Sequence, residues 1–199
     1  MSERRLERYR SRRDFRSTPE PSGEDEDDVG DPDTPMFVIQ QHDASSMHFD
    51  FRLEIDGALA SWAVPKGPST DPSEKRLALR TEDHPLDYAD FEGVIPEDEY
   101  GGGTVLLWDR GPYRNLADDV DMAEALEDGK IEVFLDGEKI QGGYVLIRTG
   151  SDDDQERWLL IKKDDDHADA RRKPVSTEPE SVASGRQLKE IAEEGEDDG

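Results

Sequence analysis

The sequence predicts an all-β protein, and three observations carry that prediction. Residues 36–163 break into seven or eight short runs, either apolar throughout or alternating. The turn dipeptides Asp56-Gly57 and Asp136-Gly137 sit where two pairs of those runs would fold back on each other. A single internal stretch, 120–129, has the spacing of a helix. Short strands with one or two short helices fit a small β-barrel or a sandwich. A length of 199 residues fits one domain with tails.

Each element follows from its residues. Residues 1–16 mix Arg and acids with Leu6, Tyr9 and Phe15, which reads as a short helix or an arm docking on the core. Residues 21–35, PSGEDEDDVGDPDTP, have almost no apolar content and read as an acidic linker or loop. The domain proper is expected at 36–163. It opens with the apolar run MFVIQ, 36–40, followed by MHFDFRLEI, 47–55, whose strict alternation marks a half-buried strand. ALASWAVP, 58–65, comes after the Asp56-Gly57 turn. KRLALRTE, 75–82, ends near Pro85. GTVLLWD, 103–109, follows a run of glycines that permits close backbone approach or a sharp bend. The helix at 120–129 takes Asp118 or Asp119 as N-cap, with Gly129 beyond its end. KIEVFLDG (130–137) and KIQGGYVLIRT (139–149) make a hairpin, and RWLLIKK (157–163) closes the set. Residues 164–199 read as an acidic tail with a short helix at 185–194 and frayed last five residues.

Composition excludes several classes. No apolar run approaches the roughly 18 residues that span a bilayer, and the Arg-rich N-terminus has no apolar signal segment. Absence of Cys removes disulfides, zinc fingers, thiol nucleophiles and iron–sulfur clusters. A soluble cytoplasmic protein is expected. The net charge of −26 argues against a passive nucleic-acid coat. It fits a halophilic chain, for which a short Debye length mutes self-repulsion. The charge is uneven: residues 1–20 carry seven Arg against four acids, whereas 21–35 carry seven acids and no base. Local clusters must therefore be read one by one.

The chemistry concentrates at QQHDASSMHFDFRLE, 40–54. Alternation puts Met47, Phe49, Phe51, Leu53 and Ile55 on one face of the strand and His48, Asp50, Arg52 and Glu54 on the other, successive members about 7 Å apart. His42 lies just upstream, and the HDASS segment can fold it back toward His48. Two imidazoles and a carboxylate suit Mn, Fe or Zn better than Mg or Ca. Arg52 beside them suits a phosphate or carboxylate substrate. The alternative is a solvated polar face on a half-exposed strand. By parity, Arg76, Arg80, Glu82 and His84 share a face of 75–84 opposite Leu77 and Leu79, and Lys66 adds a cation. GVIPEDEYGGGTV, 93–105, lacks the Lys-Ser/Thr of a phosphate-cradling P-loop. Tyr88 and Tyr100 are expected to be buried aromatics, and His167 to be uninvolved.

These residues form an ordered set of motifs. Q-x-H-x5-H-x-D-x-R-L-E from Gln40, W-A-V-P-K-G-P, R-x5-E-x-H-P-L-x-Y from Arg76 and E-G-x-I-P-x-x-x-Y-G-x-G from Glu92 resemble the 3′-phosphoesterase module of bacterial DNA ligase D and its stand-alone archaeal relatives. The opening YRSRRDFRSTPEPSG and the tail SVASGRQLKEIA resemble the flanks of that family. The resemblance implies a compact β-barrel of about eight strands with a polar crescent. It implies an enzyme that trims DNA 3′ ends, first releasing a terminal ribonucleoside by a phosphodiesterase step, then removing the 3′-phosphate. Manganese is the cofactor it implies, other divalent transition metals being possible.

Carried onto this chain, the resemblance makes His42, His48 and Asp50 the metal ligands, and gives Arg52 and His84 to the scissile phosphate. Lys66 and Arg76 would assist the phosphate chemistry and Tyr88 the diesterase step. Gln40 and Glu82 would support the site, and Arg13, Asp14 and Glu20 of an arm at 1–20 would pack back to complete it. The arm with Arg52, Lys66, Arg76 and Arg80 is expected to form a positive patch for DNA. No K-x-D-G ligase motif occurs, so a separate DNA ligase or end-joining polymerase is the expected partner. Two other readings compete: a non-haem iron oxygenase using His48, Asp50 and His84, and a non-catalytic acidic β-barrel that serves as an interaction module.

Overall fold

From residue 36 onward, each strand sends its largest apolar side chains to one side, and closing the sheet on itself buries them together. A computed structural model describes residues 2–24, 31 and 33–197. Helix α1 (Ser2–Ser11) precedes β1 (Met36–Asp43), β2 (Met47–Ile55), β3 (Ala58–Val64) and β4 (Lys75–His84). A 3₁₀ turn (Leu86–Asp90) leads to β5 (Gly93–Ile95) and β6 (Gly103–Asn115). Helix α2 (Met122–Asp128), strands β7 (Lys130–Asp136), β8 (Gln141–Asp152) and β9 (Gln155–Lys162), and helices α3 (Pro174–Thr177) and α4 (Leu188–Asp197) complete the chain.

The strands run β1-β2-β3-β4-β9-β8-β7-β6, and β6 pairs back to β1, so eight antiparallel strands close a barrel. Strand β5 adds to the outer edge through β6. Phe37, Ile39, Phe51, Leu53, Trp62, Trp108, Tyr144 and Trp158 fill the interior. The expected strands are all present, several of them longer than their apolar runs, because ladder pairing continues past the last apolar residue.

Two expectations are corrected. The N-cap of α2 is Asp121, whose carboxylate accepts from Glu124 N at 2.9 Å, rather than Asp118 or Asp119. Leu77 is exposed and Ala78 takes the core position, opposite Trp158. Residues 164–187, the first part of the expected acidic tail, pack against the domain. Thr70 Oγ1 donates to the carbonyls of Asp169 (2.7 Å) and Arg172 (3.1 Å), and both Trp108 Nε1 and Lys139 Nζ donate to Glu178 O at 2.9 Å. Buried Ile191 then docks α4. Within the expected linker, residues 25–30 and 32 lie outside the described residues, as do 198–199 of the expected frayed end. The start of that linker is tied to α1, since Tyr9 Oη donates to Pro21 O at 2.6 Å and Arg10 Nη2 to Gly23 O at 2.7 Å.

Outside the barrel wall lies a second apolar cluster of Tyr9, Val38, Leu59, Tyr88, Phe91, Ile95, Val105 and Leu107. It exists because α1 and the 86–90 turn cover outward side chains of β1, β3 and β6. The polar residues of that face are thereby sealed in.

One buried carboxylate holds the β7–β8 hairpin. Asp109 Oδ1 accepts from the backbone N–H groups of Arg110 (2.9 Å), Glu138 (2.9 Å) and Lys139 (3.2 Å), and Oδ2 from Ile140 N at 2.8 Å. Leaving a buried donor without an acceptor costs about 1–3 kcal/mol. The Asp109→Ala variant should therefore lose roughly 2–4 kcal/mol in urea unfolding. Asp109→Asn, which keeps Oδ1 and disturbs only the Ile140 contact, should lose less. Equal stability of all three proteins would contradict this role.

Candidate active site

The covered face is assembled by strand register. Across β1 and β2, Val38 pairs Arg52, Gln40 pairs Asp50 and His42 pairs His48, and paired residues share a face. Arg52 in turn pairs Ser61 of β3, and Gln40 and His42 pair Leu107 and Val105 of β6. Asp50 and Arg52 are both buried, so the solvated half-exposed strand is excluded. A cavity of about 300 Å³ opens over these residues, its walls including His42, His48, Asp50, Arg52, Glu82, His84 and Tyr100.

Both histidines are aimed by backbone carbonyls. His42 Nε2 donates to Gly101 O at 2.8 Å, and His48 Nδ1 to Ser46 O at 3.0 Å. A carbonyl can only accept, so each contact fixes the tautomer and leaves the other nitrogen as a lone-pair donor. Those nitrogens converge on one carboxylate: His42 Nδ1 is 3.3 Å from Asp50 Oδ2 and His48 Nε2 is 3.2 Å from Asp50 Oδ1. Lone pairs facing a carboxylate repel unless a proton or a cation lies between them. Ligand atoms of the three residues lie within 4.8 Å of one another, a donor set that fits a divalent transition ion. The glycine run serves this geometry. Gly101 has φ +75°, where its carbonyl meets His42, and a Cβ on Gly103 would lie 2.1 Å from Asp43 O.

Beside the triad, Arg52 Nε donates to Gln40 Oε1 at 2.8 Å, and Nη2 lies 3.5 Å from Asp50 Oδ2. Gln40 Nε2 is spent on the carbonyls of Tyr88 and Phe91, both at 2.9 Å. Arg52 Nη1 is 3.2 Å from His84 Nδ1, which is also 2.9 Å from Glu82 O. Tyr9 and Tyr88 flank the His84 ring at centroid distances of 5.0 and 4.6 Å. From the arm, Arg13 donates to Glu20 at 3.0 Å and to Glu82 at 2.6 Å, and Tyr88 Oη donates to Glu20 at 3.1 Å.

A family model for the DNA ligase D 3′-phosphoesterase domain matches residues 40–148, more than half of the chain and all of the triad. The chain belongs to this family. It is 49% identical over 191 residues to the multifunctional non-homologous end joining protein LigD of Pseudomonas aeruginosa, covering 94% of this chain and 22% of that protein. It is 49% identical over 155 residues to the LigD of Mycobacterium tuberculosis, a multifunctional non-homologous end joining DNA repair protein, covering 78% and 19%. With the LigD of Mycolicibacterium smegmatis it shares 42% over 165 residues, 81% of this chain and 21% of that one. The chain thus spans about a fifth of the length of these relatives.

Within this 3′-phosphoesterase fold, most of the residues singled out by sequence come together. His42, His48, Asp50, Arg52, His84, Tyr88, Arg13, Glu20 and Glu82 line one cavity, and Gln40 lies beneath it. Lys66 and Arg76 line a different cavity with Glu74 and Lys75. Asp14 is solvent-facing and pairs Arg16 at 3.0 Å, so it does not complete the site. Arg80 is also elsewhere, stacked 5.1 Å from the Trp62 ring and paired with Asp83 at 2.8 Å. The cause is a register break opposite Leu59–Ser61. Thr81 pairs Ser61 but His84 pairs Leu59, so parity fails along β4 and His84 parts from Arg76 and Arg80. Much of the expected positive patch is paired with acids. Arg5, Arg12, Arg13, Arg16, Arg76 and Arg80 each sit within 3.3 Å of a carboxylate. Sequence reasoning missed the Gly101 carbonyl and Arg12. The glycine run marked that loop, but nothing in it announced the partner of its carbonyl. His84 does not join the metal-ligand group, which removes the His48–Asp50–His84 triad of the oxygenase reading.

The electrostatics follow from burial and partners. Burial opposes ionisation of Asp50, but Arg52, together with His42 and His48 when a proton lies on the nitrogen facing Asp50, outweighs it and holds its carboxyl well below the usual range. Burial disfavours a charged His48, and the Asp50 carboxylate more than offsets this, raising its pKa. His84 goes the other way: burial, then Arg52 and Arg13, push its pKa well down and keep the ring neutral.

Two outcomes are expected. Manganese binding followed by electron paramagnetic resonance should show one tight ion that His48→Ala or Asp50→Ala removes. Gly101→Ala should weaken it on the order of 10–100-fold by misaiming His42, and unchanged affinity in all three would refute the site. The second concerns pH in chelated protein. His84 is depressed in the folded state, so its stabilisation is complete above the unfolded value near 6.5 and is lost as pH falls toward the folded value. His48 contributes the opposite slope. Urea unfolding of wild type minus His84→Gln should isolate the His84 part, a difference that shrinks below about pH 6.5 by up to ~1.4 kcal/mol per unit. A difference flat from pH 7.5 to 5 would contradict it.

Proposed function

We propose that this chain is a metal-dependent phosphoesterase that heals DNA 3′ ends in end joining. It releases a 3′-terminal ribonucleoside by a diester step and then the 3′-phosphate by a monoester step, leaving a 3′-OH for repair synthesis or ligation. The observation that carries the reading is one cavity holding the His42–His48–Asp50 group beside Arg52 and His84, in a chain of the 3′-phosphoesterase family.

His42 Nδ1, His48 Nε2 and Asp50 would hold the ion, and manganese suits two imidazoles with a carboxylate. When bound, a divalent ion supplies positive charge that polarises a phosphoryl oxygen or activates water. Arg52, locked by Gln40 and Asp50, presents a preset guanidinium to a phosphate. His84 Nδ1 faces both the Glu82 carbonyl and the Arg52 guanidinium, which leaves Nε2 as the nitrogen turned to neither. A bound phosphate would offset the two guanidiniums, letting Nε2 take a proton and donate it to a phosphate oxygen or the leaving group. Tyr88 braces Arg52, its ring centroid 4.9 Å from the guanidinium. Arg13, Glu20 and Glu82 fix the arm over the site. Lys66 and Arg76 would meet the strand backbone rather than the reacting phosphate, since they line another cavity. DNA 3′ ends are the proposed substrate, a DNA ligase or end-joining polymerase the proposed partner, and the cytoplasm the proposed location. No described helix is long and apolar enough to cross a membrane.

The test uses a 5′-labelled DNA primer–template whose primer ends in one ribonucleotide. Wild type should remove the nucleoside and then the 3′-phosphate only with manganese present. His48→Ala should abolish both steps, and Arg52→Lys should lower them by about 10²-fold or more, because an ammonium cannot reproduce the fork. A folded, manganese-loaded wild type that leaves the primer intact would sink the reading.

A further inference from the structure

The cavity offers places for a metal and a phosphate, but a 3′ end also carries a base. Among the described residues two tyrosines line the cavity, and they differ in kind. Tyr88 is buried and its hydroxyl is committed to Glu20. Tyr100, expected from sequence to be buried, is 47% exposed. A half-exposed aromatic ring at a cavity rim has a face to offer to a ligand.

Tyr100 is also held in place. Arg12 Nη1 donates to its hydroxyl at 2.6 Å, and the Arg12 guanidinium lies 4.8 Å from its ring centroid. The loop carrying it is closed by Glu99 N to Pro96 O and Gly102 N to Glu99 O, both 3.0 Å, and Ser17 of the arm bonds Glu99. Its neighbour Gly101 orients His42, which ties the ring to the metal-ligand group by one peptide unit. Ala44, Ala63 and Ile95 contribute apolar wall to the same cavity. A fixed exposed ring, small apolar walls and a phosphate-binding guanidinium together match a nucleotide: π-face, sugar and phosphate in one slot.

We propose that Tyr100 is the stacking platform for the terminal nucleobase of the strand being trimmed, accepting any base because every base has a π-face. This rests on the phosphoesterase reading above and adds to it a base subsite. Because stacking acts before and during the reaction alike, its loss falls on KM rather than on kcat.

Wild type, Tyr100→Ala and Tyr100→Phe are compared on two primers, one ending in a normal ribonucleotide and one whose terminal sugar has no base. On the base-bearing end, Tyr100→Ala should raise KM on the order of 5- to 100-fold. Tyr100→Phe, which keeps the ring and loses only the hydrogen bond from Arg12, should stay near wild type. On the baseless end, all three should have the same, higher KM. A Tyr100→Ala effect equal on both ends would overturn the proposal, since the residue would then only anchor Arg12 and the arm. No effect on either end would also overturn it. If wild type cleaves neither primer, the phosphoesterase reading fails. The platform is then judged by fluorescence anisotropy on the same two strands, where equal affinity of wild type and Tyr100→Ala overturns it and a base-dependent loss supports it.

Discussion

A single buried carboxylate, Asp50, is the constraint around which this site is arranged. A charge taken out of water costs several kcal/mol unless it is compensated, and Asp50 is compensated on three sides. Arg52 supplies a fixed positive charge, while His42 and His48 present nitrogens that need a proton or a cation to face a carboxylate. Each of those groups is pinned in turn, the histidines by Gly101 and Ser46 carbonyls and Arg52 by Gln40. Preorganisation of this kind reduces the reorganisation left to the moment of reaction.

The pinning depends on a cover. The outer face of a barrel strand ordinarily meets water, and there a short row of His, Asp and Arg would be solvated and mobile. Here α1 and the 86–90 turn bring Tyr9 and Tyr88 over that face, and their apolar bodies seal it. Polar groups of the cover are matched within it: Glu20 takes Arg13, Tyr88 and Thr18, and Glu82 takes Arg12 and Arg13. This pairing offsets much of the positive charge of the basic N-terminal segment. Its cations serve to bind the arm to the domain.

Legibility followed the range of the interaction. The alternation of 47–55 yielded the partition of core and polar faces, and the spacing from His42 to Asp50 yielded the ligand set, because both depend on residues adjacent in sequence or across one hairpin. Parity failed on β4, where a register break is invisible to a pattern of alternation. Asp14 and Glu20 are both acids of the arm, yet one faces solvent and the other is buried beneath Tyr88. Nothing local distinguishes them. The C-terminal segment looked like a tail because its anchors are backbone carbonyls, which carry no side-chain signature.

The sequence by itself determined an all-β domain, the family, and the His42–His48–Asp50 grouping, since periodicity and motif order are properties of the chain. Only the tertiary structure decided that the polar face is enclosed, that Lys66 and Arg76 stand apart from Arg52 and His84, and that Tyr100 remains in water. The physical reason is that burial belongs to a surface made jointly by distant segments. Whether a carboxylate is solvated, or an aromatic ring covered, depends on what the arm, the 86–90 turn and the glycine loop bring over it.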